Sequence, residues 1–151
     1  CGLAERLPYR DAAFDVVCSS WVLEHLREPR QTFMDVARVL RDGGRFVFLT
    51  PNIRNPLLMV NRGLQWTQGR LVDRLYGRRD PDVFPAYYRA NSRQRIDDLA
   101  RRAGMVPVVF QFIGDPTYLA FNAQLYRLGC LMEQIMPLWM RVHLVGVYSV
   151  V

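Results

Sequence analysis

The strongest constraint on this chain is the order of elements between Phe14 and Thr50. FDVVCS (14–19) is a short apolar run rich in β-formers, behind a turn containing Asp11. Such a run suits a strand buried on both faces, as in a parallel sheet. The segment EPRQTFMDVARVLRDGG follows. Pro29 fits the first turn of a helix, where a missing N–H costs little. Phe33, Val36, Ala37 and Leu40 recur at helical spacing, the stripe of a helix lying on a sheet. Gly43 and Gly44 offer a left-handed stop. RFVFLT (45–50) reads as a second strand, ended by Pro51. Strand, helix, strand at this spacing is a βαβ unit, and such units are right-handed. The crossover opens with a helical start near Glu24 and His25.

Further along, residues 52–91 change character: Asn, Pro, Gly, Arg and aromatics dominate, with one helix expected around PLLMVNRGLQWTQGRLVDRLYG. PDVFPAYYRANS reads as an ordered loop. Ser92 is placed to cap the helix RQRIDDLARRAG, and Gly104 to stop it. MVPVVFQFI (105–113) is a third strand, residues 117–140 an apolar helical segment, and RVHLVGVYSVV (141–151) a fourth strand. The order β, α, β, long insert, α, β, helical insert, β predicts an α/β fold with a mostly parallel sheet. A basic cap insert spans 53–91 and an apolar helical insert 115–140. No G-x-G-x-x-G occurs, so a dinucleotide-binding half is not among these 151 residues.

Charge is unevenly spread. All 20 basic residues are arginine, and the net charge is +6. From Arg54 to Arg102 there are 11 Arg against 5 Asp, so this third carries the whole excess. A local basic region suits an anionic partner, and equally a solvated surface. No helix-turn-helix or zinc pattern accompanies it, so a nucleic-acid partner is not expected. Cys1, Cys18 and Cys130 are far apart and in no metal-ligand spacing. They are read as reduced thiols of a cytoplasmic protein.

The segment GLAERLPYRDAAFDVVCSSWVLEHLREPRQTFMDVARVLRDGGRFVFLTPN resembles the second half of a class I S-adenosylmethionine-dependent methyltransferase of the type 11 group. The resemblance rests on Gly2, Ala4, Glu5, Leu7, Pro8 and Tyr9, then Phe14 and Asp15, then Leu23, Glu24 and His25. Arg38, Val39, Leu40, Gly43, Gly44, Thr50, Pro51 and Asn52 complete it. It implies a Rossmann-like sheet ordered 3-2-1-4-5-7-6, in which the four strands here are 4, 5, 6 and 7, the last antiparallel. It also implies that residues 1–151 form the C-terminal part of one methyltransferase domain. Strands 1 to 3 and the glycine-rich cofactor loop are expected upstream of Cys1, so the chain by itself is expected to be inactive.

Ligands of open α/β sheets bind beyond the carboxyl ends of the strands, near the point where strand order reverses. Ser19, Ser20 and Trp21 follow the end of the first strand. Small hydroxyl residues let a ligand approach, and a tryptophan gives a flat apolar wall. The resemblance assigns this turn to the methionine and ribose of S-adenosylmethionine; an ordinary strand-to-helix turn is the alternative. It aligns Leu3 and Ala4 with the adenine-binding turn, although Leu3 lacks the carboxylate many members carry there. Glu24 and His25 form a candidate acid–base pair, or a structural pair opening a helix. Two ligands make a poor metal site, so no metal is expected.

The segment after the second strand usually covers the acceptor in that family. Asn52, Tyr87, Tyr88 and Arg89 are therefore the candidate acceptor contacts, a mix suited to an anionic or ring-bearing group. In 117–140, Tyr118, Phe121, Leu125, Leu128, Met132 and Ile135 make one helical face. Core packing, a lid for a lipophilic acceptor with peripheral membrane contact, and a dimer face all fit it. The expected function is methyl transfer to a small, amphipathic or anionic acceptor. The alternative is a catalytically inactive methyltransferase-like binding module.

Overall fold

The computed structural model describes residues 3–60 and 85–151. Most of the predicted helix around residues 56–77, and Arg62, Arg70, Arg74, Arg78 and Arg79 of the basic insert, lie outside the described residues. Four strands, β1 (Phe14–Ser20), β2 (Leu40–Pro51), β3 (Met105–Ile113) and β4 (His143–Val150), form one sheet in the order β1-β2-β4-β3. β1 and β2 are parallel, and β4 runs antiparallel to both its neighbours. This is the 4-5-7-6 arrangement expected above.

The helices α1 (Pro29–Val39) and α2 (Arg93–Arg102) touch each other, with α1 against β2 and α2 against β3. Their apolar stripes explain the placement. Phe33 of α1 meets Phe46 of β2 edge to face at 5.6 Å, and Phe48 stacks on Tyr148 of β4 at 5.7 Å. Ile96, Leu99 and Leu144 complete a core in which each is at most 2% exposed. Burying each of these large side chains contributes about 1.5–3 kcal/mol. Gly146 lies under the Phe48 ring, where a Cβ would sit 2.3 Å from Cζ.

Several expectations differ from the structure in instructive ways. The strand β1 is not buried on both faces: Val16 is 48% exposed and Cys18 is exposed. The described helices that touch the sheet cover only one face of it at this point. The helix α1 stops at Val39 instead of reaching the glycines. Leu40 is already extended (φ −78, ψ 142) and pairs with Phe14, so β2 starts early. The register then slips between Leu40 and Arg45, and Gly43 at φ 72 serves that irregularity, not a helix cap.

Residues 117–140 are not one helix. A 3-10 turn (Pro116–Leu119), α3 (Ala123–Ile135) and a second 3-10 turn (Leu138–Met140) follow one another. Asn122 breaks the run by capping α3, its Oδ1 accepting the Leu125 N–H at 2.8 Å. Pro137 ends it, holding Met136 extended at ψ 130. The segment at Leu23–His25 is likewise a single 3-10 turn. Ser92 precedes α2 in an extended conformation, but its side chain makes no capping bond.

Candidate functional site

The register places one residue from each strand on a common rim. Ser20 pairs with Leu49, Pro51 with His143, and Ile113 with His143. The carboxyl ends of β1, β2 and β3 and the first residue of β4 therefore share one edge of the sheet. At that edge stand Ser19 and Ser20 of β1, Trp21 just after it, Asp115 just after β3 and His143 of β4, with Thr50 of β2 buried behind them.

The turn after β1 is tightly held. The Trp21 N–H donates to the Leu49 carbonyl at 3.0 Å, and its φ of 57 turns the chain sharply out of the sheet. A left-handed backbone at a bulky residue is costly and persists only where the surroundings impose it. Its indole is 44% exposed and meets the His143 ring edge to face at 5.1 Å. Next to it, the Ser19 Oγ is buried and has no hydrogen-bond partner among the described residues. A buried hydroxyl left unpaired costs roughly 1–3 kcal/mol, so this one is suited to a polar ligand atom.

Glu24 belongs to a buried polar chain. One carboxylate oxygen accepts the Thr50 hydroxyl at 3.3 Å, and that hydroxyl oxygen in turn accepts the Asn91 amide at 2.7 Å. The Asn91 amide also reaches the Pro51 carbonyl at 3.1 Å. Glu24 is 5% exposed, and its other oxygen lies 4.0 Å from His25 Nε2. His25 Nδ1 is 3.1 Å from the Pro85 carbonyl, so it donates there. The backbone carbonyl of Glu24 accepts the N–H groups of Tyr87 and Tyr88 at 2.7 and 3.0 Å. Glu24 thus ties the crossover, β2 and the 85–91 loop together, and brings His25 beside that loop.

The predicted acceptor residues separate into two groups. Tyr87 is flanked by two guanidinium groups: Arg27 and Arg89 each lie 5.6 Å from its ring centre. Arg27 Nε donates to the Tyr87 hydroxyl at 2.8 Å, and Arg89 donates to the Arg27 carbonyl at 2.6 Å. Tyr88 adopts φ 53 beside them. Asn52 is placed elsewhere. It is 1% exposed, and its amide donates to the Trp139 and Arg141 carbonyls at 2.9 and 2.7 Å. Its Oδ1 accepts the Arg54 N–H at 3.1 Å. Every polar atom of that side chain is committed to joining β2 to the segment before β4.

Leu3 and Ala4 sit in a turn closed by the Arg6 N–H donating to the Leu3 carbonyl at 3.0 Å. Leu3 is 72% exposed, and Ala4 packs on the core. Asp35 and Arg38 of α1 anchor the following loop. Asp35 accepts the Leu7 N–H, while Arg38 donates to the Leu7 and Tyr9 carbonyls at 3.0 and 2.8 Å and to Asp11 at 2.7 Å. The hydrogen bond from Arg38, aided by the Leu7 N–H, holds the Asp35 carboxyl below its ordinary pKa despite its burial.

Sequence reasoning missed Thr50, Asn91, Asp115 and His143. His143 was open to discovery: an antiparallel fourth strand must begin at the carboxyl edge of its neighbours, so its first residue faces the site. Thr50 and Asn91 gave no comparable signal, because their role depends on a contact 41 residues apart. Among the described residues no group of three or more His, Cys, Asp or Glu could hold a metal. No described helix is long and apolar enough to cross a membrane.

Residues 1–48 match the methyltransferase domain family. Over 50 residues the chain is 46% identical to a malonyl-[acyl-carrier protein] O-methyltransferase of Herminiimonas arsenicoxydans, a match covering 33% of this chain and 19% of that protein. It is 41% identical over 63 residues to the demethylmenaquinone methyltransferase of Clavibacter sepedonicus, covering 40% and 24%. An S-adenosylmethionine-dependent methyltransferase of Methanosarcina mazei superposes with a TM-score of 0.60 at 15% identity, over 99% of this chain and 65% of that one. The chain's aligned part spans about a fifth of the curated relatives' length.

Proposed function

We propose, for a chain with the sheet of the class I S-adenosylmethionine-dependent methyltransferases and a first third matching their methyltransferase domain family, that it transfers a methyl group to a small anionic or amphipathic acceptor. The observation that carries this reading is the carboxyl edge of β1. There a buried Ser19 hydroxyl, unpartnered among the described residues, and a half-exposed Trp21 wall stand at the strand end that the resemblance assigns to the cofactor.

The residues present fit S-adenosylmethionine. Ser19 and Ser20 would hydrogen-bond its polar groups, Trp21 would pack on its apolar surface, and the Leu3–Ala4 turn would meet the adenine through the Ala4 N–H. Bound there, the cofactor supplies an electrophilic methyl group. The protein's remaining task is alignment of the acceptor, which in favourable intramolecular cases is worth about 7–11 kcal/mol. Asp35 and Arg38 fix the loop behind Leu3 and Ala4. Glu24 holds the 85–91 loop over the same edge through its carbonyl. Its carboxylate orients Thr50, and His25 stands at the loop's start as a candidate proton acceptor.

The acceptor class follows from Tyr87, Tyr88 and Arg89. Two guanidiniums bracket the Tyr87 ring, and Arg89 lies 4.0 Å from the Glu28 carboxylate. Such a cluster favours an anionic, ring-bearing or phosphorylated group. Asn52 acts in this reading as scaffold and not as an acceptor contact. The exposed Phe121, Leu128, Leu131 and Ile135 around α3 favour an amphipathic acceptor, and contact with a membrane surface from the cytoplasmic side. Flotation with anionic vesicles checks that part: the protein should rise with the vesicles, and a protein left in the dense fraction removes it.

Isothermal titration of the full gene product with S-adenosylhomocysteine tests the reading. Saturable one-to-one binding, weakened by Ser19→Val, is expected. Absence of binding would leave the inactive binding module as the better account.

A further inference from the structure

The sheet edge carries a second histidine, and its surroundings are those of a proton acceptor. His143 opens β4, and its side chain is 9% exposed. Its Nε2 lies 3.4 Å from Asp115 Oδ2. Its Nδ1 is buried and has no hydrogen-bond partner among the described residues. The ring is bracketed by two aromatics, Trp21 at 5.1 Å and Tyr118 at 5.8 Å.

Asp115 is itself held in place. Its Oδ1 accepts both the N–H of Thr117, at 2.9 Å, and the Thr117 hydroxyl, and its own N–H donates to Glu133 at 3.3 Å. Burial alone would push its pKa up, but the bonds from Thr117 and His143 outweigh that and hold it below the ordinary carboxylate value. An ionised carboxylate facing Nε2 requires a hydrogen on that nitrogen. In the neutral ring the lone pair must then be on Nδ1. This is the arrangement in which a carboxylate fixes the tautomer of a general base and steadies the cation that forms.

We propose that His143 and Asp115 form the proton-accepting pair of this site, with His143 Nδ1 as the base for a hydroxyl- or amine-bearing acceptor and Asp115 as its positioning residue. The proposal rests on the methyl-transfer reading and extends it. The acceptor's oxygen or nitrogen forms its bond to the methyl carbon while that carbon's bond to sulfur breaks, both electrons passing to sulfur. The proton leaves the acceptor for Nδ1, and the imidazolium is balanced by Asp115. Trp21 covers one side of the ring, so access to Nδ1 requires a shift of that half-exposed indole or of Tyr118.

Among the described residues, the other charged or titratable groups near the pair are few. Glu133 bonds the Asp115 backbone, the field of Asp115 acts on Tyr126, and Arg141 precedes His143 by two residues with a buried, unpartnered Nε. Neither β2 nor β3 brings a charge opposite His143, whose cross-strand neighbours are Pro51 and Ile113.

Nitrogen-15 NMR of the full gene product, labelled at histidine, tests this without turnover. His143 should show a protonated Nε2 and a pyridine-type Nδ1 at neutral pH. At a pH low enough that free 4-nitrophenol is neutral, adding it as a probe, with S-adenosylhomocysteine present, should move Nδ1 to its protonated shift while the bound probe absorbs as the phenolate. His143→Gln, which keeps a donor toward Asp115, should lose the phenolate signal. An Nδ1–H tautomer, or an Nδ1 resonance unmoved by the probe, overturns the proposal. If Nδ1 responds but S-adenosylhomocysteine fails to bind in titration, the proton-accepting pair stands and the methyl-transfer reading falls.

Discussion

Replacing Asn52 with alanine should unfold the site edge without touching a ligand contact. Its amide hydrogens reach the Trp139 and Arg141 carbonyls at 2.9 and 2.7 Å, and its Oδ1 takes the Arg54 N–H at 3.1 Å. Each such bond is worth about 1 kcal/mol net, so losing three costs about 3 kcal/mol. The residue is 1% exposed, so water cannot readily take the place of the amide where it stood. At an m-value of about 2 kcal/mol per molar urea, the midpoint should fall by about 1.5 M. Urea denaturation of the full gene product, followed by tryptophan fluorescence and far-ultraviolet circular dichroism, measures this directly. Asn52→Asp should be worse, since it places an acceptor against two carbonyls. A loss below about 0.5 kcal/mol, within the range of neutral surface changes, would refute the scaffold role.

Three further outcomes are expected. Gly146→Ala forces a Cβ to within 2.3 Å of Phe48 Cζ, in a ring only 1% exposed; it should cost about 1–3 kcal/mol in the same denaturation assay. Burial, and then its hydrogen bond to Asp97, raise the Tyr148 hydroxyl's pKa; because the folded value lies above the unfolded one, stability should hold below about pH 10 and decline above it. Tyr148→Phe should remove much of that alkaline decline in urea melts at stepped pH. Asp35 has the opposite sign: its folded pKa is depressed, so its contribution is present above about pH 4 and is lost as pH falls through the folded value. Asp35→Asn should flatten the acid side of the stability profile, and an unchanged acid limb would count against the Asp35–Arg38 anchor.

The βαβ unit was legible because its pattern is local. Phe33 and Val36 at helical spacing, and Phe46 and Phe48 at strand spacing, report their own burial. The third strand's limits, Met105–Ile113, could be read outright, since Gly104 at φ 75 stops α2 and Gly114 follows the run. The end of α1 could not be read. Gly43 looks like a helix stop, and only the pairing of Leu40 with Phe14 shows that β2 has already begun. The break at Asn122 was concealed by an unbroken apolar stripe, although a capping Asn is a signal in its own right.

The site divides along the same line. Ser19 and Ser20 close a strand and Trp21 follows it, and strand ends are local features. Asn52 also follows a strand end, but its side chain is claimed by carbonyls 87 and 89 residues away. The pairing of His143 with Asp115 depends on the sheet folding β3 back beside β4, which no spacing in the chain announces.

The central claim is that the carboxyl edge of β1 faces the methyl donor. A crystal structure of the full gene product with S-adenosylhomocysteine tests it most directly. The account predicts the ligand beside Trp21, with one of its polar atoms within hydrogen-bond reach of Ser19 Oγ. Density for the ligand at any other edge or face of the sheet, with the Ser19 hydroxyl still unpartnered, would contradict it.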